Sequence, residues 1–183
     1  MAEEKKEPWL NYLALTTVIL AVCATLSTFK GGGFSTRAVL NQAHASDQWV
    51  FYQSKSIKGY LYELQKEKLE LDLKLLGPKA APPLIEDYQK KIDGYAKNIK
   101  RYNDEKAQIE KDARKFEAIK EDAAVHGQVF GMAVIFLQIA ILLSSIAALM
   151  KKKPVWILGL MTGAVGVFYF INGFFLPKSR YRN

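Results

Sequence analysis

Three windows of the chain, residues 9–29, 129–150 and 155–176, contain no Asp, Glu, Lys or Arg. A bilayer core of about 30 Å needs roughly 20 apolar residues at 1.5 Å of helical rise each, and every window is that long. The intervening residues 30–128 hold 18 Lys/Arg and 15 Asp/Glu. Blocks so different in polarity imply two solvents rather than one aqueous core. The expected fold is therefore an all-α membrane protein. Three transmembrane helices carry a long antiparallel coiled-coil helical hairpin between helices one and two.

Short polar segments complete this plan. Residues 1–8 form a polar tail, 151–154 a Lys-rich loop and 177–183 a basic tail. The loop Lys151-Lys152-Lys153-Pro154 forces windows two and three into a tight pair, with Pro154 opening the third helix where a missing N–H is harmless. A cleaved secretory signal is not expected, because the start is not basic and the first apolar window is too long. Leu20-Ala21-Val22-Cys23 resembles a lipoprotein cleavage box, but Val22 stands where a small residue is needed. The single cysteine excludes an intramolecular disulfide.

Two features punctuate residues 30–128. Lys30-Gly31-Gly32-Gly33 reads as a flexible joint, since glycine loses the most entropy on entering a helix. Gly77-Pro78 through Pro82-Pro83 reads as the turn of the hairpin. The helices expected between and after them run over about 35–76 and 84–126. Apolar residues recur every seven positions in both, the period that keeps one seam facing a partner helix. In the first helix the rows are Ala43, Val50, Ile57, Leu64, Leu71 and Asp47, Ser54, Leu61, Lys68, Leu75. In the second they are Ile85, Ile92, Ile99, Lys106, Ala113 and Tyr88, Tyr95, Tyr102, Ile109, Phe116, Ala123. Antiparallel pairing places Ile57 near Tyr102, Leu64 near Tyr95 and Leu71 near Tyr88. Asp47, Ser54, Lys68 and Lys106 break the apolar rows, and either fix the register or form a recognition patch.

Other residues point to contacts rather than chemistry. Gly159, Gly163, Gly166 and Gly173 include a GxxxG match and would let helix backbones approach closely in lipid. Gln138 and Asn172 are the strongly polar side chains midway along windows two and three, where an amide most often makes an interhelical hydrogen bond. Trp49, Phe51 and Tyr52 lie around one short stretch of helix and form a candidate docking surface. No HExxH, CxxC, P-loop, GxSxG or dinucleotide fingerprint occurs. In the expected register His44 and His126 differ by roughly 16 Å in height, too far to share a metal ion. No catalytic residue, cofactor site or metal site is expected, and the chain does not read as an enzyme.

The run WLNYLALTTVILAVCATLSTFKGGG, followed by STRAVLNQAHASDQW and YLYELQKEKLELDLKLL, resembles a bacterial family of small membrane proteins known only as a domain of unknown function. The resemblance implies a multi-pass protein of the bacterial cytoplasmic (inner) membrane and brings no activity with it. The expected function is a noncatalytic, self-associating coiled-coil scaffold or docking protein. The alternative is an accessory subunit of a transporter or channel. Expected partners are the lipid bilayer and either a homo-oligomer or a larger membrane complex. Nucleic acid is not among them, because the excess charge is spread over segments flanking the apolar windows. Counting Lys5, Lys6 and Lys151 to Lys153 against Lys178, Arg180 and Arg182 places the N-terminus in the cytoplasm and the hairpin in the periplasm.

Overall fold

The computed structural model describes residues 8–77 and 81–177, almost all of them in three helices: α1, Trp9–Leu76; α2, Pro82–Met150; and α3, Lys153–Phe175. No strand occurs among the described residues. Each helix contains a window long and apolar enough to cross a membrane, by length and composition. The terminal tails, with Lys5, Lys6, Lys178, Arg180 and Arg182, and connector residues 78–80 lie outside the described residues.

The expected joint at Gly31-Gly32-Gly33 is corrected: α1 passes through it as unbroken helix. Helix propensity is a weak prior that packing overrides, and packing is visible at one of the three glycines. A β-carbon on Gly31 would lie 3.1 Å from Phe130 Cβ, and one on Gly127 would lie 3.2 Å from Ser35 Oγ. Glycine here permits close approach of α1 and α2 rather than a bend. In the same way α2 continues without interruption from the charged segment into the apolar one.

The real helix ends are chemically explicit. Gly77, at φ 62°, stops α1 in the left-handed conformation that glycine adopts without penalty. Pro82 and Pro83 open α2, and Ala81 C=O accepts from the N–H groups of Leu84 and Ile85. At the end of α2 the Lys152 N–H donates to Ala147 C=O and the Lys151 N–H to Ala148 C=O, a Schellman closure. Lys151 adopts φ 49° there, in a position usually filled by glycine.

The chain forms two compact units. One comprises Met1–Leu40 with Ala118–Asn183, and the other Asn41–Glu117. The first has a core of Leu20, Ala24, Ala133, Leu137 and Ala140, flanked by Val167, Tyr169 and Phe170. A smaller cluster joins Trp9, Leu13 and Ala147 to Trp156.

In the second unit the helices run antiparallel. Lys55 pairs with Glu105 and His44 packs on Phe116, and the residue numbers of both pairs sum to 160. The α2 rows face inward over most of their length, with Ile92, Ile109 and Ala113 buried and Ile85 exposed near the turn. The α1 rows do not. Ile57, Leu64 and Leu71 are 61%, 63% and 56% exposed, so the expected contacts with Tyr102, Tyr95 and Tyr88 are corrected. The face that meets α2 carries Ala45, Tyr52, Gly59 and Tyr62 instead. A β-carbon on Gly59 would still sit 3.8 Å from Tyr102 Cβ, an ordinary van der Waals contact, and Tyr62 lies against both Tyr95 and Tyr102. Small residues and ring faces fit the tyrosine-rich α2 seam better than a row of branched aliphatics.

Candidate interaction surfaces

The four α3 glycines are buried against the chain's own helices. A β-carbon on Gly159 would lie 3.2 Å from Ala140 C=O, and one on Gly163 would lie 3.0 Å from Leu20 Cδ2. On Gly166 it would come within 2.8 Å of Leu137 Cγ and 2.9 Å of the Leu137 backbone nitrogen, and on Gly173 within 2.9 Å of the Phe130 ring. These distances explain why glycine occupies this face: any larger side chain there would press on a neighbouring helix.

Most hydroxyls of the apolar windows are satisfied within their own helix. Thr16, Thr17, Thr25, Ser27 and Thr28 each donate to a carbonyl three or four residues back, as do Ser145 and Thr162. They mark no polar pathway. Gln138 and Asn172, by contrast, are exposed, so their amides are turned away from the packed interior.

The aromatic cluster of the second unit is divided between internal and outward contacts. Trp49 is half-buried; its indole N–H donates to Glu117 Oε1 at 2.8 Å, and its ring packs edge-on against Tyr52. The Arg114 guanidinium lies 6.0 Å from the same indole. Lys106 lies 5.7 Å from the rings of both Tyr52 and Tyr60, so this charge within the α2 seam is held by aromatic faces. Phe51 stays exposed, with the Lys55 ammonium 5.1 Å from its ring centre. Asp47 and Lys68 are exposed and Ser54 is half-buried.

Lys55 also pairs with Glu105 at 2.6 Å. The hydrogen bond from Lys55 holds the Glu105 carboxyl below the usual carboxylate range against some desolvation, helped by the charges of Lys55, Arg101 and Lys58.

A depression of about 590 Å³ on α1 is lined by Phe29, Lys30, Gly32, Gly33, Phe34 and Arg37. Read from sequence as a joint, the glycines instead leave the floor of a shallow groove bordered by two cations. Periodicity gives no signal for such a surface. Among the described residues no three His, Cys, Asp or Glu side chains are grouped to hold a metal ion. His126 stacks on Phe34 with its Nδ1 2.8 Å from Asp122 C=O, and His44 packs on Phe116; both rings serve packing.

The family model described as Domain of unknown function (DUF4337) matches residues 9–176. The chain belongs to this family. The DUF4337 match takes in all three helices. No curated protein and no solved structure matches the chain.

Proposed function

We propose that this DUF4337 protein is a noncatalytic, self-associating scaffold anchored in the bacterial inner membrane. Residues 9–29, 129–150 and 155–176 span the bilayer, and the antiparallel hairpin stands in water as a docking element. The observation that carries the reading is the division of polarity: three uncharged windows sit on helices long enough to span, while residues 30–128 hold 33 charged side chains. The Phe29 to Arg37 groove then falls at headgroup level, where Lys30 and Arg37 suit anionic lipid.

Orientation follows the short loops. The Lys151 to Lys153 loop lies in the cytoplasm with the N-terminus, and the hairpin lies in the periplasm, because long segments translocate largely regardless of charge. Reporters active only in the periplasm, fused at Lys79 and after Asn183, are expected to be active. Inactivity at both positions places the hairpin in the cytoplasm. Crosslinking in native membranes is expected to trap oligomers, and a strict monomer without partners overturns the scaffold reading.

The exposed amides Gln138 and Asn172 support a second reading, an accessory subunit of a transporter or channel, since an amide facing hydrocarbon gains by meeting another helix. The α3 glycines favour the scaffold, because they already meet Leu20, Leu137 and Ala140 of the same chain. Gln138→Leu separates the two: loss of a co-purifying pore protein without loss of self-association supports the subunit.

A further inference from the structure

We propose that the outward stripe of α1 in the second unit pairs, parallel and in register, with the same stripe of a second copy of this chain. Val50, Ile57, Leu61, Leu64, Leu71 and Leu75 are between 54% and 76% exposed. They recur at steps of seven with intermediate steps of three or four, the spacing of a left-handed helix–helix seam. The stripe lies two positions along from the face that meets α2, which is about 200° around the helix. This length of α1 is therefore two-sided: Ala45, Tyr52, Gly59 and Tyr62 serve the hairpin, and the aliphatic row is left over.

Three considerations make a second copy the occupant. A heptad row sustained from Val50 to Leu75 can be followed along its length only by another helix of matching period. Two copies inserted in one membrane share one orientation, so their α1 helices run parallel and identical residues stand at equal height. If each of the six side chains leaves on the order of 100 Å² uncovered, each copy offers roughly 600 Å² before flanking stems are added, close to the ~800 Å² per partner of a stable interface. Lys68 is the one charge among these rows between Val50 and Leu75. Glu67 precedes it on the border, so in a parallel pair each Lys68 lies beside Glu67 of the other copy.

The proposal rests on the membrane-anchored reading, because only a hairpin in water needs its aliphatic stripe covered. The test uses the full-length protein in native membranes with Cys23, its sole cysteine, changed to alanine. Single cysteines are placed at Ile57, Leu64 and Leu71, and at the exposed Lys100 of α2 as a control, then oxidised with copper phenanthroline. Disulfide dimers are expected at the three stripe positions, several-fold above the control. In the cysteine-free protein, Leu64→Glu is expected to reduce amine-crosslinked dimer at least about tenfold while helical content is unchanged. Amine-crosslinked dimers with silent stripe cysteines overturn this interface and leave self-association standing. Absence of both kinds of dimer overturns interface and self-association together. Leu64→Cys that resists a water-soluble maleimide before oxidation but dimerises afterwards supports the interface, its thiol being covered by the other copy. Resistance without dimerisation overturns it and argues for a stripe in lipid.

Discussion

The two compact units hold their helices together by opposite means. In the unit built from Met1–Leu40 and Ala118–Asn183, backbones approach through Gly31, Gly127, Gly163 and Gly166. In Asn41–Glu117 the helices are held apart by rings and charged stems: Tyr62 against Tyr95 and Tyr102, Trp49 bonded to Glu117, Lys55 paired with Glu105. On the proposed membrane placement the difference follows from the solvent. Hydrocarbon gives no hydrophobic reward for burying a large side chain, so contact comes from close approach. Water rewards burial of large rings and tolerates charge at their edges. Exposed aliphatics therefore mean different things as well. On that placement Leu158 and Met161 in α3 face lipid, whereas Ile57 and Leu64 face water, where the proposed second copy would cover them.

The largest expected effect tests close approach. Gly166→Ala sets a β-carbon 2.9 Å from the Leu137 backbone nitrogen, which cannot turn aside as a side chain does. It is expected to destabilise the first unit by about 3 kcal/mol, the upper end for overpacking, read as a lower melting midpoint by circular dichroism in detergent. Gly163→Ala is expected to be milder, because its contacts are the flexible Leu20 methyls and the Ala140 Cβ. If Gly166→Ala melts like the unmodified protein, the contrast between the units fails.

Next comes the ring-filled unit. Tyr102 contacts Tyr62, takes the Lys55 ammonium 5.5 Å from its ring and has Arg101 at 5.0 Å. Tyr102→Ala removes a half-buried ring and is expected to cost about 2 kcal/mol, less than a fully buried aromatic. Tyr102→Phe is expected to retain most of that stability, which distinguishes ring packing from a role for the phenol hydroxyl. Hydrogen exchange confined to 41–117 is the appropriate readout, because a global melt is dominated by the other unit.

The sequence was readable to different depths in these units. The α2 rows were legible because Ile92, Ile109 and Ala113 serve one face only. The α1 row of Val50, Ile57, Leu64 and Leu71 was equally regular, but periodicity identifies a seam without naming the helix that fills it. The face that meets α2 is marked by Ala45, Tyr52, Gly59 and Tyr62, residues too mixed in size and polarity to register as a hydrophobic row. The triple glycine misled for a related reason: entropy is a local term, and the neighbours of Gly31 and Gly127 are invisible along the chain. The α3 glycines are legible in the sequence as small residues, but which helices they meet is information held only in three dimensions.

A smaller effect sharpens the same comparison with glycines alone. A β-carbon on Gly94 would meet nothing within 4 Å, unlike one on Gly166. Gly94→Ala is expected to stabilise the second unit by about 0.5–1 kcal/mol through helix propensity, seen as slower hydrogen exchange around the site. A destabilising Gly94→Ala would reveal a close contact supplied by another molecule.

The smallest effect concerns the ion pair of Lys55 and Glu105. Lys55 holds the Glu105 carboxyl below the usual range, so the folded state binds this proton less readily than the unfolded chain does. Where the folded value is depressed, the stabilising contribution is fully present above the ordinary carboxylate range and is lost as pH falls through the folded value. The contribution is modest, because the carboxylate is partly exposed and surface pairs are screened by solvent and salt. Glu105→Gln removes the titration and keeps the shape. Hydrogen exchange in 41–117 is expected to be faster in the variant at neutral pH, after correction for intrinsic exchange, and to converge with the unmodified protein on acidification. Added salt is expected to narrow the neutral difference. A difference that persists unchanged into acid would assign the effect to lost packing or altered hydrogen bonding, leaving the rings to hold this unit without help from charge.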